Sequence, residues 1–236
     1  MVDETDTSQE KQWFNRRRAS VVVKALQARN VGAQYALTRL EALSTLLEMI
    51  PHGSVVARGD SVTLEQVGII AEIKKRGQNK VIDPFERDEA GRFVAELEQR
   101  RRMQREAFAS DVFLTGTNAI TVDGKLVNID GVGGRVAPML FGPGKVVVVC
   151  GVNKIVKDVD HALVRIHSVA APMNAIRHYV KHHQTEFGGL PCVATGKCTD
   201  CSHDWRICRY TVVIEGSMIG QKGRIQVVLV GEELGI

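Results

Sequence analysis

The sequence predicts an α/β fold with an open, mostly parallel sheet flanked by helices, and three observations carry that prediction. First, the apolar runs at residues 112–114 and 146–150 lack polar alternation, as strands covered on both faces do. Each run ends in a small polar loop, Thr115-Gly116-Thr117-Asn118 and Gly151-Val152-Asn153. Open α/β sheets bind ligands outside the carboxyl ends of their strands, so these loops are candidate site elements. Second, leucines and other apolar residues recur at three- and four-residue steps: Leu37, Leu40, Leu43, Leu47 and Ile50, then Val159, Ala162, Leu163, Ile166 and Ala170. That spacing marks helices with one apolar face. Third, Ile120-Thr121-Val122 and the segment 126–129 flank Asp123-Gly124, a turn pair that predicts a β-hairpin inserted between the two buried strands.

The chain has 236 residues, enough for one sizeable core. The expected organisation is a disordered acidic tail over residues 1–10 and a single domain over 11–236 that includes a cysteine-rich segment at 188–210. Net charge is +4, and the basic runs Arg16-Arg17-Arg18 and Arg100-Arg101-Arg102 read as solvated helix faces, so nucleic acid is not an expected partner. Aromatic content of 5% offers no stacking platform for single strands. The N-terminus has neither a basic start nor an apolar stretch of the secretory kind, and the apolar run 146–152 is too short to span a bilayer. The expected compartment is the cytoplasm, where cysteines stay reduced.

The remaining elements follow in order. A helix is expected over 12–30, a strand over 32–35, and Pro51 ends the leucine-rich helix. A short strand at 54–57 leads through Arg58-Gly59-Asp60-Ser61 into a helix whose Thr63-Leu-Glu-Gln66 fits a capping box with Thr63 at the cap. Its N-terminus, with Gly59, Ser61 and Thr63, is a candidate receptor for a carboxylate or phosphate. A strand is expected at 80–82, a long charged helix over 88–108, a short helix over 136–141, a helix opening at Ala171-Pro172, and β segments at 210–214 and 224–230.

Four cysteines, Cys192, Cys198, Cys201 and Cys208, fall within 17 residues with the spacing Cys-x5-Cys-x2-Cys-x6-Cys. A Cys-x2-Cys pair turns two sulfurs toward one centre and two outlying thiolates complete a four-coordinate shell. The spacing lacks the second Cys-x2-Cys pair of a zinc ribbon and lies nearer the plant-type iron–sulfur pattern, so an iron–sulfur cluster of the 4Fe-4S kind is the expected cofactor and zinc the alternative. His178 and His182 stand four apart on one helix face with no acidic partner between them, which reads as an ordinary exposed pair. Cys150 ends an apolar strand and reads as a buried small side chain.

Gly131-Val-Gly133-Gly134 follows a hairpin and lacks the spacing and the acidic residue of a dinucleotide fingerprint, so a nicotinamide site is rejected. The candidate ligand-binding residues are Gly59, Ser61, Thr63, Thr115, Gly116, Thr117, Asn118, Asp130, Gly131, Gly134 and Asn153. No nucleophile–base arrangement can be assembled from the spacing.

These residues resemble a known family. Asp111-Val-Phe-Leu-Thr-Gly-Thr-Asn-Ala-Ile-Thr121, Asp123-Gly-Lys-Leu-Val-Asn128, Asp130-Gly131, Gly142-Pro143 and Gly151-Val-Asn-Lys-Ile-Val-Lys-Asp158 are similar to the LUD domain of lactate utilization proteins. Ala171-Pro-Met-Asn-Ala175, the Cys192 to Cys208 segment and the ending Lys222-Gly-Arg-Ile…Val-Gly-Glu-Glu-Leu-Gly235 extend the resemblance over nearly the whole chain. It resembles a small single-domain branch that carries a C-terminal four-cysteine motif. The resemblance implies a fold of the NagB/RpiA and CoA-transferase-like type. It also implies a role beside iron–sulfur partner subunits in oxidising L-lactate or a related organic acid. Gly59, Ser61 and Thr63 match the family's turn after the early strand, with Asp60 where glycine is more usual. Expected partners are a small anionic metabolite and such subunits, and a homo-oligomer is compatible with them. The alternative is a small-anion-binding protein or an isomerase- or transferase-type enzyme stapled by zinc.

Overall fold

The computed structural model describes residues 3–236. Its main sheet contains strands β1 (Gly32–Ala36), β2 (Val55–Arg58), β3 (Lys80–Ile82), β4 (Val112–Gly116), β7 (Lys145–Gly151) and β10 (Ile225–Val230). They run in the order β1-β10-β7-β4-β2-β3, and every neighbouring pair is parallel. The expected α/β class with a parallel sheet is therefore what the chain adopts. The alternation along β7 shows why its sequence is continuously apolar. Val146, Val148 and Cys150 enter the core on one face, and Val147 and Val149 enter the core on the other.

One face is covered by α1 (Ser8–Ala28) through Ala19, Val22 and Leu26. The other is covered by α2 (Arg39–Glu48), α3 (Val62–Val67) and α4 (Ile69–Arg76), which bring Ala42, Leu46, Leu64 and Ile73 onto Val112, Leu114 and Val147. A second, smaller sheet forms from β5 (Ala119–Thr121), β6 (Leu126–Asp130), β8 (Ile155–Val156) and β9 (Tyr210–Ile214) in the order β8-β5-β6-β9. β5 and β6 are the expected hairpin. Its Gly124 has φ +86°, and a Cβ there would sit 2.7 Å from the backbone of Ala25, so glycine is required both by conformation and by the close approach of α1.

Three expectations are corrected. The tail expected over residues 1–10 is shorter, because α1 opens at Ser8, whose backbone N–H donates to Asp6 Oδ1; residues 1 and 2 lie outside the described residues. The cap of α3 is Ser61, which accepts from Leu64 N, and not Thr63. Gln66 instead accepts from Gly235 N. The charged helix is only α5 (Leu97–Glu106): Gly91 adopts φ +76°, and Phe93 is held between the guanidinium groups of Arg87 and Arg100, which turns the preceding stretch out of helix. The two β segments expected near the end both form, in different sheets. β9 adds to β6, whereas β10 passes into the middle of the main sheet.

The short helix expected after the glycine run is α6 (Val136–Leu140). Two helices anticipated separately, α7 (Val159–Arg165) and α8 (Ala171–His182), are joined through a π-helical turn at Ile166–Ala170. Pro172 has no N–H to donate backwards, so the ladder must loosen before it. This junction places Ala171 between the strand-end cleft and the cysteine segment.

Candidate functional site

The carboxyl ends of β2, β4 and β7, neighbours in the sheet, open into a cleft of about 820 Å³. β2 delivers Asp60, Ser61 and Thr63, β4 delivers Gly116, Thr117 and Asn118, and the turn after β7 delivers Lys154. The loop after β6, with Asp130, Gly131 and Gly134, forms one wall, and α5 and α8 supply Arg100, Arg177 and His178. Eight of the sequence-derived ligand candidates thus line one cleft: Ser61, Thr63, Gly116, Thr117, Asn118, Asp130, Gly131 and Gly134. Gly59, Thr115 and Asn153 lie behind it. A Cβ on Gly59 would press on Thr115 Oγ1 and Arg135 Cγ at 3.1 Å, Thr115 is wholly buried, and Asn153 accepts from Leu234 N.

Several cleft residues spend their polar atoms on the protein. Asp130 accepts from the backbone N–H groups of Val132, Gly133, Arg135 and Val136, which folds the glycine loop round its carboxylate. Arg135 donates to the Gly116 and Ile129 carbonyls and to Asn118 and Asn128 Oδ1, so it ties that loop to the end of β4. Asp60 is bonded to Arg177 at 3.0 Å. Burial alone would raise the Asp60 carboxyl, but Arg177, with Arg58 and His178 beyond it, overrides this and holds it below the usual carboxylate range.

His178 and His182 are not an exposed pair. His178 stacks on Phe187 and bonds through Nδ1 to Gln184 Oε1 at 2.8 Å, while His182 Nδ1 accepts from Arg87. Burial pushes both rings down, His182 to about 3 with Arg87 adding to the effect, so both are neutral at pH 7. Because an amide oxygen only accepts, His178 Nδ1 carries its hydrogen and Nε2 keeps a lone pair.

Lys154 is 4% exposed and donates to Thr63 Oγ1 at 3.1 Å. Burial pushes it down to about 8 despite the nearby Cys150 thiol. Sequence spacing singled out none of Arg100, Arg135, Lys154, Arg177 and His178 for the cleft. The available signal was position: Lys154 directly follows the loop of the longest buried strand, and Arg135 directly follows the glycine run.

The four cysteines converge. Cys192, Cys198, Cys201 and Cys208 are free, half-buried thiols that border one small apolar pocket with Pro172, Ala175, Leu190 and Pro191. Among the described residues no three His, Cys, Asp or Glu side chains stand in position to hold a metal ion. N–H donors stand against two of the four sulfurs. Arg206 Nε donates to Cys208 Sγ at 3.2 Å, Asp200 N donates to Cys198 Sγ at 3.4 Å, and His167 Nδ1 lies 3.5 Å from Cys198 Sγ. Burial and the neighbouring thiols raise Cys192, and burial raises Cys208 against the pull of Arg206. Four thiols, two of them accepting N–H donors, are the donor chemistry of a thiolate-bound iron–sulfur group, while their placement is not that of a formed ligand set. Ala171 and Ile207 line both this pocket and the cleft, so one layer of side chains separates them. Cys150 is the buried strand residue expected, and burial raises it to about 11.

No helix among the described residues is long and apolar enough to cross a membrane. Among solved structures, a duf162 family protein from Deinococcus radiodurans is similar over 92% of this chain and 98% of that chain, with a TM-score of 0.51 and 11% identity, a likeness of fold. eIF2B delta from Chaetomium thermophilum is a looser match, with a TM-score of 0.33 and 15% identity over 64% of this chain and 54% of that one. Ribose 5-phosphate isomerase from Plasmodium falciparum gives 0.31 and 12% over 50% and 52%. No curated protein sequence matches this chain. The model of the LUD domain matches residues 19–230, and with that extent of match the chain belongs to the LUD domain family.

Proposed function

We propose that this chain is an iron–sulfur component of a system that oxidises L-lactate or a related organic acid. Its cleft receives the acid, and its four cysteines hold the cluster. The observation that carries this reading is the abutment of a cationic cleft and a pocket bordered by the four cysteines across Ala171 and Ile207. Cys192, Cys198, Cys201 and Cys208 would be the ligands. When bound, a cluster supplies one-electron exchange, and since a 2-hydroxy acid releases two electrons and two protons on becoming a 2-oxo acid, the reading includes iron–sulfur partner subunits.

The chain's own residues have separable tasks. Arg206 and the backbone N–H of Asp200 favour charged sulfur. Phe187 packs between His178 and Trp205 and keeps water from the layer between the sites. Arg177 is held by Asp60 at the cleft wall, where the pair fixes α8 to the turn after β2. His178, neutral and lining the cleft, would take a proton from a bound hydroxyl at Nε2.

The test is anaerobic purification followed by iron, sulfide and zinc analysis beside the visible spectrum. Near-stoichiometric iron and sulfide with a band bleached by dithionite supports the reading. Stoichiometric zinc without a visible band overturns it.

A further inference from the structure

The cations of the cleft differ in what they have left to give. Arg177 is paired with Asp60, and Arg135 is saturated by four acceptors. Arg101 and Arg105 are exposed and lie beside Glu98. Arg100 is stacked on Phe93 and donates to the Pro84 carbonyl at the mouth. Arg165, behind the floor, is committed to the carbonyls of Asn118 and Asn153 and to Ile236 O. Lys154 alone among the deeply buried cleft cations keeps spare donors: of its three N–H groups one has a partner, Thr63 Oγ1, and no carboxylate lies within ion-pair distance among the described residues. An ammonium taken out of water without an anion is costly, and chains keep such an arrangement where an anion arrives from outside.

We infer that Lys154 is the anchoring cation of the cleft, and that it holds a carboxylate or phosphate oxyanion between Thr63 and the turn after β4. The assignment rests on the reading of the cleft as an organic-acid site and names the residue on which recognition depends. Placement supports it. Lys154 follows β7, Ser61 and Thr63 follow β2, and Gly116 to Asn118 follow β4, so the ammonium stands where three neighbouring strands end. Gly116 lets Ser61 approach, since a Cβ there would lie 2.7 Å from Ser61 Oγ. The hydroxyls of Ser61 and Thr63 then flank the same floor.

One consequence distinguishes an anchor from a residue that merely packs. The titratable groups facing Lys154 are Cys150 on β7, Arg135 before α6 and Arg165 on α7, and Gly235 of the closing segment packs on its ammonium with Ile236 lining the cleft beside it. The thiol, raised to about 11, stays neutral to pH 9.5, and the guanidinium groups stay charged. Lys154, at about 8, is the one that changes. An anion that needs the ammonium should therefore bind roughly 25-fold more weakly at pH 9.5 than at pH 7.5, and binding near pH 8 should take up a proton.

The test is calorimetric titration of the anaerobically purified protein with L-lactate, pyruvate and inorganic phosphate at pH 7.5 and 9.5, in buffers of different ionisation enthalpy. Wild-type protein and Lys154→Met are compared. The expected result is binding that weakens with pH and takes up a proton, and at least a tenfold loss in the variant with no remaining pH dependence. Preference between the carboxylates and phosphate identifies the source of the oxyanion. Equal binding by wild type and variant, or wild-type affinity independent of pH, overturns the role of Lys154 and leaves the cleft intact. Failure of all three anions to bind wild-type protein overturns the cleft reading itself. The wild-type pH profile decides the matter without the variant.

Discussion

Replacing Lys154 by methionine should stabilise the protein at neutral pH. The side chain is 4% exposed and its ammonium is pushed from the ordinary 10.5 to about 8 by burial. At about 1.4 kcal/mol per pH unit, keeping the charge in place at pH 7 costs roughly 3 kcal/mol. Methionine has nearly the same volume and no charge, so that cost disappears, while the lost hydrogen bond to Thr63 returns about 1 kcal/mol. The net gain is about 2 kcal/mol, or a rise of roughly 4–8 °C in melting temperature for a chain of this size. The sign of the pH dependence follows from the depressed value. Below pH 8 the lysine is charged in both folded and unfolded chains and the penalty is complete. Between 8 and 10.5 the folded chain sheds the proton that the unfolded chain still holds, so wild-type stability recovers as pH rises. The advantage of the variant should shrink over that window and reverse slightly above it. Losing the ammonium raises the Cys150 thiol further, so that group stays neutral across this window in the variant as well. Urea unfolding of both proteins at pH 7, 9 and 10.5 measures this. A variant less stable at pH 7, with a difference that does not change with pH, refutes the description of Lys154 as an unpaired buried charge.

Other perturbations have defined outcomes. Asp83 is 5% exposed and lies between Lys74 at 3.1 Å and the buried Arg58 at 3.7 Å, and since Arg58 keeps its pair with Glu65 and Lys74 its pair with Glu86, Asp83→Asn should cost about 1–2 kcal/mol, measured by chemical denaturation. Gly124→Ala forces a side chain into φ +86° and against the backbone of Ala25, and should lower stability by about 2 kcal/mol or more. His182 is held at about 3, so as pH falls below about 6.5 the unfolded chain gains a proton that the folded one refuses, and stability declines; His182→Gln should flatten melting temperature against pH between 6.5 and 4. A Cys198→Ser and Cys201→Ser double change should abolish iron retention on anaerobic purification, and retention of full iron and sulfide would remove these thiols from the ligand set.

The strands that position the site were readable because their chemistry is local. Val112 to Leu114 and the run from Val146 are apolar on successive residues, and only a sheet covered on both faces uses such a run. The nearness of the four cysteines was readable because they fall within one short segment, which folds round a single small pocket. What the sequence hid depends on distant contacts. The stretch before α5 carries helical composition, yet Phe93 leaves the helix to stack on Arg87 and Arg100. Thr63 has the spacing of a cap, but Ser61 takes that task and frees Thr63 for Lys154, which lies 91 residues away in the chain. Asp130 looked like a ligand-binding carboxylate, whereas four backbone N–H groups consume its oxygens. The histidines follow the same rule: their four-residue spacing was visible, and their burial against Phe187 and Arg87 was not.

The central claim is that an organic-acid cleft and an iron–sulfur pocket abut across Ala171 and Ile207. Electron paramagnetic resonance of the anaerobically purified, dithionite-reduced protein, with and without saturating L-lactate or pyruvate, tests it most directly. The expected result is an iron–sulfur signal whose g-values or line widths change when the acid binds, and that change should be lost in Lys154→Met. A protein without such a signal, or a signal unaltered under calorimetrically verified saturation, would contradict it.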